Sequence, residues 1–224
     1  MYFCKVKKAN TIKKYSVLGI LFLLPITVYL FFASGVNNFG KLPILTENIS
    51  EISELKDLHG TSVQLSNHIT ILGFFGTDVE SKKANAFNLA HKIYKKYYQF
   101  KDFQFVILID ENQRIQAFDL IDKLSEIENP KNWKFIIADT EASQELFNSL
   151  NTTYSLDENN SSPYVFVIDY ERSLRGRSND KESGVLYGFD ARDYSIINNK
   201  MDDDIKVILA EYRLALRKNK DKNQ

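Results

Sequence analysis

Residues 67–83 read NHITILGFFGTDVESKK, and the interpretation of the whole chain turns on them. The run Ile69–Phe75 is apolar almost without interruption and rich in β-branched and aromatic residues, as befits a strand buried on both faces. Gly76 closes it, and Thr77 followed three residues later by Glu80 has the form of a capping box opening a helix. The helix is predicted to reach about Phe100, with Phe87, Ala90, Tyr94 and Tyr97 on its inner face.

Downstream, the same alternation repeats. Phe103–Asp110 (FQFVILID) reads as a second buried strand. Glu111–Ile127 reads as a helix with Ile115, Phe118, Ile121 and Leu124 turned inward, and Asn129-Pro130 stops it. Trp133–Asp139 is a third strand and Thr140–Leu150 a short helix. After a polar loop (151–162), Pro163 opens a fourth strand, YVFVID. Residues 173–179 read as irregular and basic, Val185–Phe189 as a fifth strand, and Lys200–Lys218 as a last helix with Met201, Ile205, Ile208, Tyr212 and Leu216 in one stripe. Strands alternating with helices imply an α/β fold, a mixed sheet with helices on both faces.

Upstream, Tyr15–Val36 (YSVLGILFLLPITVYLFFASGV) carries no charge, and about 22 residues suffice to cross a ~30 Å hydrocarbon core. Lys5, Lys7, Lys8, Lys13 and Lys14 precede it, and the first acid is Glu47. That asymmetry places the N-terminus in the cytoplasm and the remainder across the inner (cytoplasmic) membrane. A cleaved signal peptide is the alternative, with Ala33-Ser34-Gly35 as its small-residue cluster. The expected organisation is a basic cytoplasmic segment (1–14), a transmembrane helix (15–36), a linker (37–46), one extracytoplasmic domain (47–218) and a disordered tail (219–224).

The chain contains 29 basic and 29 acidic residues; with five lysines ahead of the apolar run, the remainder is acidic by five charges. An acidic domain offers no electrostatic footprint for nucleic acid. Apolar residues at 44% are enough for a real core. The single cysteine, Cys4, excludes an internal disulfide, a Cys-x-x-Cys pair and a multi-cysteine metal site. A lipid on Cys4 and an idle thiol are both open. With nine glycines and no Gly-x-Ser-x-Gly, His-Glu-x-x-His or phosphate loop, the common catalytic signatures are missing.

The strand order with a proline opening the fourth strand resembles the thioredoxin superfamily, and within it the Sco/SenC group of membrane-anchored copper carriers for cytochrome oxidase. Leu72-Gly73-Phe74-Phe75-Gly76-Thr77 is similar to the family's strand and turn, and Leu186-Tyr187-Gly188-Phe189-Asp190 to its final hairpin. Where the family has Cys-x-x-x-Cys, this chain has Val79 and Lys83; near the family's ligand histidine it has Ser161, in Ser161-Ser162-Pro163-Tyr164-Val165-Phe166-Val167-Ile168-Asp169. The resemblance therefore implies a degenerate member. Copper(I) wants thiolate or thioether ligands, and thiol exchange needs a thiolate. Neither copper nor another cofactor is expected, and no catalytic residue or metal ligand is assigned.

What remains is a motif-equivalent surface of Thr77, Asp78, Val79, Lys83, Ser161, Ser162 and Pro163, suited to a protein partner, with membrane lipid engaged by the N-terminal helix. Ancestry points to a respiratory oxidase subunit as that partner. The resemblance also raises a cis Ser162–Pro163 bond, which would leave a backbone edge open to extended peptide; a trans proline at the strand's first position is the alternative. Asp78 and Glu80 suit either a hard-metal or partner contact or simply a helix start. Arg172, Arg175 and Arg177 suit either an anion grip or a solvated hairpin. Rival roles are a non-thiol enzyme, which would bury Asp78, His68 or Asp139 together, and a purely structural envelope subunit.

Overall fold

The computed structural model describes residues 4–33 and 41–222, in two compact units divided after Phe39.

The first unit is one helix, α1 (Cys4–Ala33). It begins eleven residues ahead of Tyr15, so the lysine segment is helical too; Ser34–Val36, expected to be part of the span, lie outside the described residues. Pro25 sits inside α1, and two residues on, Thr27 Oγ1 donates to the Leu24 carbonyl at 2.9 Å. From Lys13 to Phe31 the helix is long and apolar enough to cross a membrane, and none of that window is buried against protein. By length and composition it fits a membrane anchor or a signal sequence equally.

The second unit carries the sheet. Its elements are β1 (Ile44–Thr46), β2 (Lys56–Asp57), β3 (Ile69–Gly76), α2 (Lys83–Leu89), a π turn (Ala90–Tyr94), α3 (Lys95–Tyr97), β4 (Phe103–Ile109), a 3₁₀ turn (Glu111–Gln113), α4 (Arg114–Ser125), β5 (Trp133–Ile137), α5 (Thr140–Ser149) and β6 (Tyr164–Ile168). There follow β7 (Leu174–Arg175), β8 (Arg177–Asp180), β9 (Gly184–Leu186), β10 (Phe189–Asp190), α6 (Tyr194–Ile196), a second π turn (Ile197–Met201) and α7 (Asp202–Lys222). The strand order is β1-β7-β6-β3-β4-β5-β2, with β10 also on β6 and β8–β9 as a separate hairpin. β3, β4 and β5 are parallel; β6 is antiparallel to β3. This is the mixed α/β sheet expected from the sequence.

Period-two alternation divides the sheet into two cores. Ile69, Ile71 and Phe75 of β3 face one layer, with Phe103, Phe105 and Ile107 of β4, under α2, α4 and α7. Leu72 and Phe74 face the other, with Val106, Leu108 and Phe166, under α5. The polar pair on that second face is matched: Gln104 Nε2 donates to Thr70 Oγ1 at 3.0 Å and to the Gln64 carbonyl at 2.8 Å.

Several expectations change. Residues 44–46, assigned to the linker, form β1, which pairs with β7. Ser173–Asn179 is not irregular but supplies β7 and most of β8, and the fifth strand divides into β9 and β10 with different partners. The last helix, α7, follows α6 and the π turn without a break from Tyr194 and continues through Lys222, so most of the presumed tail is helical; Leu216 of its stripe is exposed. On α4, Ala117, Leu120 and Leu124 face the core, while Ile115 is 80% exposed and Phe118 41% exposed. Two apolar stripes compete on this helix, and the one containing a small alanine permits the closer approach to the sheet.

The three arginines are engaged by acids and carbonyls of the chain rather than free to grip an anion; Arg175 is buried, Arg172 and Arg177 half-buried. Arg175, 6% exposed, donates to Asp169 Oδ2 at 3.0 Å, to Glu211 Oε2 at 2.8 Å and to the Leu42 carbonyl. Arg177 forks onto Asp204 of α7, and Arg172 Nη1 donates to the Ile49 carbonyl. These pairs fasten α7 and the first strand to the sheet.

Candidate functional site

Antiparallel pairing of β3 with β6 (Leu72 opposite Phe166) sets the residues after β3 beside those before β6. Ser162 N–H extends that pairing by donating to the Phe74 carbonyl at 2.9 Å. Gly76 turns with φ +53°, and a Cβ there would lie 1.9 Å from the Asn159 carbonyl oxygen. Only glycine lets the two loops touch.

Asp157 is the pivot of the second loop. Its Oδ1 accepts from Asn159 N and Ser161 N at 3.0 and 2.8 Å, and its Oδ2 from Ser161 Oγ at 2.8 Å. Lys82 Nζ stands 4.0 Å away. Burial pushes this carboxyl up, but the hydrogen bonds from Ser161 and Asn159, with Lys82 beside them, prevail and hold it below the usual carboxylate range. Asn160 Nδ2 ties the loop to Thr140 Oγ1 at the start of α5.

The predicted surface residues are brought to one end of the sheet but not into one cluster. Thr77 does not cap a helix: its N–H donates to the Asn159 carbonyl at 2.9 Å and its hydroxyl to Asn159 Oδ1 at 3.1 Å. α2 starts at Lys83 with no side-chain cap. Asp78 Oδ1 accepts from Ser81 N at 3.2 Å, and the bonds from Ser81 hold its carboxyl low. Val79 is fully buried in the core beneath α2, its N–H donating to Gln113 Oε1. Lys83 points away to α4, pairing with Asp119 at 2.9 Å and with Glu80, contacts that raise its pKa. Ser161 and Ser162 are buried. Ser162 Oγ accepts from Tyr164 N at 3.1 Å.

Pro163 follows a trans peptide bond. Its carbonyl accepts from Ala191 N at 2.9 Å, and β10 pairs with Tyr164 and Val165. The backbone edge that a cis bond would have offered to a peptide is thus paired within the chain.

The donor set at the three motif positions does not fit copper(I). Val79 has no donor atom, the Lys83 ammonium is engaged by carboxylates, and the Ser161 hydroxyl donates to Asp157. Met201 is buried in the core, and the single cysteine lies in α1, so no dithiol exists in the second unit for thiol–disulfide exchange. His68 Nδ1 lies 3.0 Å from the Ser66 carbonyl, His59 meets Phe118 edge-on and His91 is exposed. Asp139 is exposed and caps α5, its side chain accepting from Ala142 N. Among the described residues no group of three or more acidic, histidine or cysteine side chains is placed to hold a metal ion.

Asp157, Asn159 and Lys82 did not emerge from the sequence. The spacing Asp157-x-Asn159-x-Ser161 is an Asx-turn signature that would have found the first two.

No family model and no curated protein matches the sequence. Among solved structures it is similar to the "putative protein disulfide isomerase" from Bacteroides thetaiotaomicron, at 11% identity and TM-score 0.50 over 76% of this chain and 94% of that one. It is also similar to the "putative electron transfer protein" from Aquifex aeolicus VF5, at 19% identity and TM-score 0.50 over 73% and 92%. Copper-bound ScoI from Arabidopsis thaliana aligns at 15% identity and TM-score 0.47 over 71% and 99%. Sheet order, helix layering and the first two of these likenesses show a thioredoxin-like fold in the second unit, one whose loops after β3 and before β6 are joined by Thr77–Asn159 and organised by Asp157.

Proposed function

We propose that this chain is a membrane-tethered, redox-inactive domain of Sco/SenC descent that serves as an interaction or assembly module on the side of the inner membrane opposite its lysines. One observation carries the reading: the loop pair is retained and fastened shut, while Val79, Lys83 and Ser161 each serve a structural contact. The sequence resemblance at Leu72–Thr77 and Ser161–Asp169 supports the descent. The unburied apolar helix α1 supports the tether through lipid, and the lysine asymmetry supports the orientation. A surface built from Thr77, Asp78 and Pro163 with the Asp157 loop is rigid, which suits a protein partner; a respiratory oxidase subunit follows from ancestry alone.

Copper(I) titration of the full chain carrying Cys4→Ser, in lipid bicelles against a chromogenic chelator, tests the reading. No competition with the chelator is expected. One-to-one binding at micromolar affinity or tighter overturns it. A photo-crosslinking residue in place of Asp78, with the anchor intact, is expected to capture a membrane-complex subunit; capture of lipid alone would favour a purely structural tether. Nothing in the arrangement of Asp78, His68 and Asp139 favours the enzyme alternative.

A further inference from the structure

α7 outruns the core it packs on. Ile205, Ile208 and Leu209 are buried, and Tyr212 is half-buried, its hydroxyl donating to Asp102 Oδ2 at 2.7 Å and its ring meeting Tyr170 at 5.1 Å. From Arg213 to Leu216 every residue is exposed, yet the helix continues to Lys222. Asp102 precedes β4 and Tyr170 follows β6, so the helix leaves the domain at the end of the sheet opposite the Thr77–Asn159 loop pair.

The charge changes sign at the same place. Residues 41–212 hold 19 basic and 28 acidic side chains, whereas 213–222 hold Arg213, Arg217, Lys218, Lys220 and Lys222 against Asp221 alone. The acids beside the exit are engaged, Glu211 by Arg175 and the Leu42 N–H and Asp102 by the Tyr212 hydroxyl. Arg213 meets no carboxylate among the described residues; its guanidinium lies over the Phe100 ring at 4.9 Å. At helical spacing Ala215 and Leu216 continue the stripe of Ile208 and Tyr212, Arg213 and Lys220 border it on one side, Lys218 and Lys222 on the other, and Asp221 falls opposite. An apolar stripe between two basic borders has the composition of a helix that lies on an anionic lipid surface.

We propose that the C-terminal extension of α7 lies on the surface of the membrane that holds α1, its basic residues meeting anionic phospholipid headgroups while Leu216 enters the boundary between headgroups and acyl chains. The inference rests on the tether proposed above. Chain length makes the contact available: eight residues, 34–41, join Ala33 to Leu42, and fully extended they reach about 30 Å. Leu42 N–H donates to Glu211 Oε1 at 3.0 Å, so that reach ends beside the start of the extension. A lipid surface is thus held close to a run of charge complementary to it. With α7 docked there, the loop pair at the other end of the sheet faces away from the bilayer, open to a partner.

The test is site-directed fluorescence on the full chain carrying Cys4→Ser and Ala215→Cys, labelled with an environment-sensitive dye and placed in nanodiscs of phosphatidylcholine, with or without phosphatidylglycerol. With the anionic lipid, the dye at position 215 is expected to shift to the blue and to escape quenching by iodide. The shift should be lost in about 1 M salt, where the Debye length falls to about 3 Å, and in the variant Arg217→Gln/Lys218→Gln/Lys220→Gln/Lys222→Gln. A dye on Ser155→Cys instead, exposed in the loop before β6, should stay open to iodide in both lipids. Equal emission from position 215 in the two lipids, or a shift that survives the four substitutions in a chain with native circular dichroism, would overturn the proposal. So would a shift that grows with protein concentration, which identifies a second copy as the occupant. Flotation on pure phosphatidylcholine vesicles reads the tether separately. A chain that floats there but keeps position 215 exposed in anionic lipid refutes the α7 contact alone; a chain that does not float refutes the tether and this inference with it.

Discussion

Thr77 and Asn159 lie 82 residues apart and are joined twice, backbone N–H to carbonyl at 2.9 Å and hydroxyl to amide oxygen at 3.1 Å. This double contact closes the end of the sheet where a thioredoxin-like domain presents its loops. Asn159→Ala removes the acceptor for the Thr77 hydroxyl and leaves the backbone bond. A loss of about 1 kcal/mol is expected from denaturant unfolding. Gly76→Ala adds a Cβ 1.9 Å from the Asn159 carbonyl at a left-handed φ and should cost at least ~2 kcal/mol, more than the asparagine variant.

Asp157 makes the loop sensitive to acid. Its carboxyl is held below its ordinary value, so its stabilising contribution is fully present above the unfolded carboxylate pKa of about 3.9. The contribution fades as pH falls from there through the lower folded value, because the unfolded chain then binds the proton first. Asp157→Asn should lower stability at neutral pH and flatten the acid limb of the stability profile. An unchanged acid limb would show that the carboxylate has no such linkage.

Arg175 bridges Asp169, Glu211 and the Leu42 carbonyl in a nearly water-free setting. Arg175→Met strands two carboxylates and should cost about 3–5 kcal/mol. Arg175→Lys should recover only part of that, since one ammonium cannot reproduce the fork. Complete recovery by lysine would count against the geometry.

The inward face of α4 is open to a direct comparison. Leu120→Ala should cost about 2–5 kcal/mol, whereas Ile115→Lys should change stability by less than ~0.5 kcal/mol. The reverse ranking would restore the face expected from the sequence.

That last case marks how far the sequence could be followed. β3, β4, β5 and β6 were legible because each is a continuous apolar run with only one fate in water, burial on both faces. α4 was legible as a helix but not in its rotation, since Ile115-Phe118-Ile121-Leu124 and Ala117-Leu120-Leu124 both have helical-face spacing and share Leu124, so that only packing against the sheet chooses between them. The capping box was misread because Thr77 found a tertiary acceptor in Asn159, and a long-range partner leaves no mark on local spacing. Short strands such as β1, β2 and β7 escaped detection because pairing with neighbours defines them, two or three residues being too few to show a period.

The sequence by itself determined the apolar N-terminal helix, the order of the α/β layers and the lack of a thiol pair, because composition and periodicity are properties of the chain alone. Tertiary structure decided which polar groups became partners: Arg175 with Asp169 and Glu211, Thr77 with Asn159, and Lys83 with Asp119. A polar side chain acquires its meaning from what stands within about 3 Å of it, and that neighbour is usually distant in sequence.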